Sequence, residues 1–327
     1  MGLDIDRLER GSYSLMPLVY RRLSDAGVEE PHLPRLKGIY RHTWSKNQVL
    51  LENLRVVTEK LREGGVDVLI VGGAARLPYY GEVGERTVSD FELLVREVDL
   101  ERALRAVGWN GGPVPDRVAR ARSAVRVGGQ EHRAFGLYWR FLPEFPAAGD
   151  DDIWRAAGQT ALEGIEGLAL DPADELLATC TGGARTALWA NVQWVADAVV
   201  IIRSGRLDWE RLERTARVRR ATLRMREALG YVGDLLQAPV PEEVLRALVA
   251  VPATPRDRVA HKISGSGGKA FGELPGTLAR YIRSGEGVLA LPRFLRDTWN
   301  VDRSWQLPVA VARKGVKTIV ARRSKRP

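Results

Sequence analysis

One stretch limits what this chain can become more than any other: residues 66–95, VDVLIVGGAARLPYYGEVGERTVSDFELLV. It reads as a short apolar strand, a glycine pair opening a helix, a polar turn, and a second strand carrying Asp90 and Glu92. Side chains alternate between faces along a strand, so the two acids share one wall while Phe91 and Leu93 point into the opposite layer. That spacing sets the acids about 7 Å apart along the strand. Carboxylates so arranged suit Mg²⁺, which takes one or two of them and completes its octahedron with water and phosphate oxygens. Gly72 and Gly73 lack a Cβ, which lets a triphosphate approach backbone N–H groups at a helix start. Each part alone is common, since an acid-x-acid pair usually lies on a solvated face. Together, a metal wall facing a phosphate cradle points to nucleotide chemistry.

The arrangement Val71-Gly72-Gly73 followed by Asp90-Phe91-Glu92-Leu93 resembles the polymerase-β-type nucleotidyltransferase superfamily. A wider set of segments is similar to an uncharacterised bacterial nucleotidyltransferase family. These are residues 15–23 (LMPLVYRRL), Arg86-Thr87-Val88-Ser89-Asp90, Leu137-Tyr138-Trp139-Arg140, Ile153-Trp154-Arg155-Ala156, Leu170-Asp171-Pro172 and Trp194-Val195-Ala196-Asp197. The likeness covers roughly residues 15–248. It implies an α+β fold, with a polymerase-β-like sheet flanked by helices and a helical domain after it. It also implies transfer of a nucleotidyl group from an NTP to an acceptor, with release of pyrophosphate. Under that resemblance Asp90 and Glu92 ligate the divalent metal, and Gly72, Gly73 and Ser89 line the nucleotide. Arg76 and Arg86 would meet the triphosphate, although Arg86 could instead buttress the turn.

One departure bears on activity. Relatives commonly carry Asp-Leu-His-Trp where this chain reads Gly136-Leu137-Tyr138-Trp139, so the position of the third carboxylate is a glycine. A two-metal displacement clamps both the entering and the leaving oxygen, and a missing ligand should weaken transfer more than nucleotide binding. Glu131 could replace the lost acid only across a bulge, because five residues from Gly136 it falls on the other face by strict alternation. A second class of function therefore stays open: a degenerate relative kept as a scaffold for a peptide or protein. A third has RNA as the acceptor, in a modifying enzyme or a toxin.

Charge bears on partners rather than on fold. Lysine and arginine number 50 against 41 acidic residues, a formal excess of +9. Residues 313–327 hold seven of the bases and no acid, a tail suited to phosphate backbones or to solubility alone. The longest apolar runs, 68–71 and 198–202, are too short for a bilayer, and residues 1–11 lack a signal-peptide core, so a cytoplasmic location is the expectation. The single cysteine, Cys180, excludes an internal disulfide and reads as a packing residue.

Along the chain we expect a helical lead-in at 1–36, broken at Gly27, Pro31 and Pro34, and then an α/β unit at 37–149 with a helix from Ser45 to Gly64. Asp99 is the expected N-cap of a helix at 100–107, and 123–127 with 131–141 read as a hairpin. After residue 150 the pattern turns to continuous helix as far as 312, opening at Ile153 under an Asp152 cap and including a helix from Asp208 to Leu236. Within it Asp197 lies in an apolar helix, where a buried carboxylate needs an arginine or a substrate as partner. It is either half of a structural ion pair or an acceptor-side residue.

Overall fold

A computed structural model describes residues 8, 10–110, 114, 123–128, 134–145, 147, 149–182, 192–265, 274–299, 301 and 303–307. Its centre is a mixed sheet of six strands. We name them β1 (Leu69–Val71), β2 (Glu92–Leu94), β3 (Ala124–Val127), β4 (Phe135–Tyr138), β5 (Gly158–Gln159) and β6 (Leu168–Ala169). Their order is β3-β4-β2-β1-β6-β5. β2 runs antiparallel to β1 and parallel to β4, and β3 closes one edge antiparallel to β4. This is the α+β class that the sequence led us to expect.

Alternation along the strands separates two faces. Ile70, Phe91, Leu93, Phe135 and Leu137 point to the back and are almost wholly buried. There they meet Leu50, Leu54, Val57 and Leu61 of helix α2 (Leu33–Glu63), in the same cluster as Leu100, Ala103 and Leu104 of the Leu100–Ala106 helix. Phe91 and Phe135 stack with ring centroids 5.0 Å apart, which fixes β2 against β4 at the end where Asp90 stands. On the front face Leu69 and Leu94 pack with Phe141, Ile153, Trp154 and Leu170. A third core lies mainly between helices and includes Cys180, Trp194 and Ile201. Burial pushes the Cys180 thiol up to about 12, as a packing residue requires. No described helix is long and apolar enough to cross a membrane.

Several boundaries differ from the sequence pattern for identifiable reasons. Helix α2 begins at Leu33 rather than Ser45: Pro34 stands in its first turn, where its missing N–H costs nothing, and Leu36 packs against Met16 of helix α1 (Met16–Asp25). Asp90 precedes β2 instead of lying within it. Asp99 forms no side-chain cap and pairs with Arg102 at 3.3 Å. Asp152 does not cap at Ile153, because that helix starts at Asp151. Asp150 precedes it, and its carboxylate accepts instead from the Phe141 amide at 2.7 Å and from Arg219 at 2.6 Å. Arg219, only 1% exposed, turns inward to make that contact, and Arg220 takes a φ of +56°. The expected helix 208–236 is thereby split into Trp209–Val218 and Thr222–Leu236. Strands β5 and β6 follow residue 149, too short to leave a pattern, and extend the sheet beside β1. Glu131, the 313–327 tail and part of the expected hairpin lie outside the described residues.

Sheet and helices are joined by buried charge. Asp197, on the Gln193–Arg203 helix, is 1% exposed and accepts from Arg86 at both oxygens, each at 2.7 Å. The Tyr80 hydroxyl donates to the same carboxylate at 2.7 Å, and Arg76 stands 3.7 Å away. Arg76 also donates to Glu175 of the Pro172–Gly182 helix at 2.7 Å. Burial raises the Asp197 carboxyl, but the two guanidinium groups and the phenol outweigh it and hold the group below the usual carboxylate range. A depressed carboxyl contributes stability that is present above its unfolded value and lost as pH falls through the folded one. Asp197→Asn should therefore cost about 3–5 kcal/mol in urea unfolding at neutral pH, since it leaves Arg86 buried without its charge partner. The gap to wild type should narrow below about pH 4.

Candidate active site

The strand register aligns four residues in one row across the front of the sheet. Val71 pairs with Glu92, Glu92 with Gly136, and Gly136 with Arg126. Neighbouring strands lie about 4.8 Å apart, and laterally paired residues share a face, so the row spans roughly 14 Å. Gly72 follows directly on Val71 and has a φ of +71°, a conformation that suits glycine. A Cβ there would fall 2.4 Å from Glu92 Oε2, so the close approach of the carboxylate also demands the missing side chain. At Gly73 a Cβ would lie 3.0 Å from Arg86 Nη1. The glycine pair therefore lets two charged side chains reach the turn.

Asp90 stands two residues before Glu92. Ser89 Oγ donates to its Oδ1 at 3.0 Å, and Arg126 Nη1 donates to its Oδ2 at 2.9 Å. The loop that delivers it is held from three sides. Asn47 of α2 donates to the carbonyls of Val83 and Arg86 at 2.6 and 2.7 Å. Gln193 donates to the Thr87 carbonyl at 3.1 Å, and the Thr87 hydroxyl donates to the Ser14 carbonyl at 3.2 Å. A small cleft of about 270 Å³ lies beside the acid, lined by Asn53, Ser89, Asp90, Arg126 and Ala134 among others. A larger cavity of about 940 Å³ includes Arg96, Glu97, Trp139 and Arg140, past the C-terminal ends of β2 and β4, and contains neither Asp90 nor Glu92.

Position 136 is where the third carboxylate was sought. It lies beside Glu92 on the same face. The space over it is taken by Tyr138, whose Cε2 would be 2.8 Å from a Cβ on Gly136. The Tyr138 hydroxyl donates to Glu92 Oε1 at 3.2 Å. The glycine and the tyrosine are thus coupled, the ring of one covering the bare backbone of the other.

Of the residues expected from sequence, Gly72 stands against Glu92, Gly73 against Arg86, and Ser89 beside Asp90 just before β2. Arg76 and Arg86 do not offer their charge there, because the first holds Glu175 and the second is buried on Asp197. Asp197 is the buried half of an ion pair, the structural alternative raised for it. Sequence reasoning missed Arg126: the run Ser123-Ala124-Val125-Arg126-Val127 has no motif, and only the pairing of β3 with β4 brings it to Asp90.

Asp90 is drawn to a guanidinium and Glu92 to a phenol. Among the described residues no group of three or more His, Cys, Asp or Glu side chains is placed to hold a metal.

Residues 12–237 match the model of a family described as uncharacterised nucleotidyltransferase. The chain belongs to that family. Membership gives it a general role in nucleotidyl transfer, and the match includes the whole row together with the Asp197 network. No curated protein and no solved structure matches the chain.

The coupling at position 136 is open to test. Gly136→Asp alone should destabilise the fold by about 1–3 kcal/mol through overpacking against Tyr138. Adding Tyr138→His removes the clashing ring edge, and most of the lost melting temperature should return.

Proposed function

We propose that this protein binds a nucleoside triphosphate as its Mg²⁺ complex and transfers the nucleotidyl group to a hydroxyl-bearing acceptor. The acceptor oxygen attacks the α-phosphorus, the bond to the pyrophosphate oxygen breaks, and pyrophosphate departs while the hydroxyl proton passes to solvent. What supports this reading is Glu92 set on the front of the sheet against Gly72, with Asp90 two residues before it, in a chain of the nucleotidyltransferase family. Mg²⁺ held by those acids would neutralise phosphate charge and polarise the α-phosphoryl group. Ser89 and Arg126 hold Asp90 in place, and Tyr138 holds Glu92, so neither acid has to be ordered when substrate arrives. The small residues Gly72 and Gly73 bring the Glu92 carboxylate and the Arg86 guanidinium close to the turn.

The helical segment 150–312 is the proposed acceptor side. Its acceptor class, whether small molecule, protein or RNA, is the finer question that the basic composition leaves between them.

A second reading rests on one observation. Tyr138 occupies the ground above Gly136 where a further metal ligand would stand, which favours a protein that keeps the nucleotide site for binding and has lost transfer. Calorimetric titration with each of the four NTPs, with and without Mg²⁺, tests the common core of both. We expect Mg²⁺-dependent binding that falls by at least about tenfold in Asp90→Ala, the loss of one charged ligand contact. Unchanged nucleotide affinity in that variant would remove the site assignment.

A further inference from the structure

The cavity of about 940 Å³ past the C-terminal ends of β2 and β4 has no part in the site above, yet its volume is that of a small-molecule pocket. Part of its lining comes from the sheet: Arg96 follows β2, and Trp139 follows β4. Another part comes from the Leu274–Ser284 and Leu291–Trp299 helices, which lie beyond the residues 12–237 that match the family. These helices are tied to the rest of the fold. Arg283, 5% exposed, donates to the Glu144 carbonyl at 3.0 Å and lies over the Phe145 ring at 4.2 Å. Arg220 donates to the Arg283 carbonyl at 3.4 Å. Tyr281 packs on Phe294 with ring centroids 5.0 Å apart, which carries the second helix with the first.

The charges of the lining are unequally committed. Three of its acids are each held by an arginine: Glu97 accepts from Arg140 at 3.1 Å, Asp150 from Arg219 at 2.6 Å and Asp297 from Arg296 at 2.9 Å. Two of its arginines are held more loosely. Arg96 stands 4.0 Å from the exposed Asp151, and Arg293 stands 3.9 Å from Asp297, which Arg296 already occupies. Both distances exceed a hydrogen bond. Arg96 lies instead over the buried Trp154 ring, 4.4 Å from its centroid. A guanidinium stacked this way keeps its N–H edge for an anion. Apolar surface adjoins it in Phe294 and in Val98, which lines the cavity although 86% exposed. We propose that this cavity binds a small organic anion. Its carboxylate or phosphate takes the donors of Arg96 and Arg293, and its flat apolar body lies against Val98 and Phe294. The remaining acids of the lining, Asp151 and Glu286, are exposed to water, where screening weakens their repulsion of such a ligand. The proposal does not depend on the nucleotidyl-transfer reading.

Calorimetric titration of the full chain with naphthyl phosphate and with naphthaleneacetate supplies probes of this shape, and uncharged naphthol is the control. We expect one site per chain for at least one of the two anions, and the tighter of them tells phosphate from carboxylate. Naphthol should bind about tenfold or more weakly, because it lacks the charge-assisted contact. Arg96→Ala should weaken the anion about tenfold, and Arg293→Ala, whose side chain is exposed, about threefold. Both variants should keep the wild-type affinity for naphthol and the wild-type melting temperature. Asp90→Ala should bind the anion as wild type does.

A loss confined to the charged probes is what a merely structural arginine would not produce. Wild type that binds neither anion, naphthol binding as tightly as the anions, or unchanged anion affinity in Arg96→Ala overturns the proposal while the nucleotide site stands. A parallel fall for anion and naphthol in Arg96→Ala also overturns it. Anion affinity lost in Asp90→Ala would put the probe at the nucleotide site and overturn the proposal as well.

Discussion

The Arg86–Asp197 pair is the contact on which the rest of the structure depends. Two opposite charges at 2.7 Å, 5% and 1% exposed, tie the loop before β2 to a helix more than a hundred residues later. Removing two ions from water is expensive, and mutual attraction offsets that cost only when geometry and further hydrogen bonds are good. Here both carboxylate oxygens are matched to the guanidinium fork, and Tyr80 supplies a further donor. The arrangement has one low-energy register. It sets the loop, the loop sets Ser89 and Asp90, and the helical layer is placed against the sheet by the same bond. Arg76 and Glu175 repeat the device beside it, joining the short glycine-led turn to a second helix.

That constraint explains why the site is rigid behind and adaptable in front. Asp90 is pinned through backbone contacts to Asn47, Gln193 and Ser14, while the charge facing it from Arg126 comes from an exposed side chain at a sheet edge. Glu92 is locked against Gly72 and Tyr138. The absence of side chains at 72 and 136 is used on both flanks of Glu92: one admits the carboxylate itself, the other admits the tyrosine ring. A change at 136 is therefore a change in Tyr138 as well.

How much of this was legible in the sequence depends on the range of the interaction. Alternation placed Phe91 and Leu93 in the back layer and Glu92 in front, because a period of two is local information. Helical spacing found the stripe of Leu50, Leu54, Val57 and Leu61. The start of that helix was misread because Pro34 looks like a breaker until the tertiary contact of Leu36 with Met16 is known. Arg76 and Arg86 were read as phosphate partners from their position near the glycine turn. Their actual partners, Glu175 and Asp197, lie 99 and 111 residues away, beyond any local pattern. Asp197 could be flagged as needing a partner, since an apolar helix does not tolerate a lone charge. Which arginine answered it was not legible. Arg126 left no trace at all, because its meaning comes only from a lateral register across three strands.

The most direct test of the central claim is an anomalous diffraction map at the manganese edge from crystals grown with Mn²⁺ and a non-hydrolysable nucleoside triphosphate. The account predicts a single strong peak in contact with both Asp90 and Glu92, with the triphosphate running past Gly72. A map with no ion on those two acids, or with the nucleotide seated in the larger cavity past the ends of β2 and β4, would contradict it.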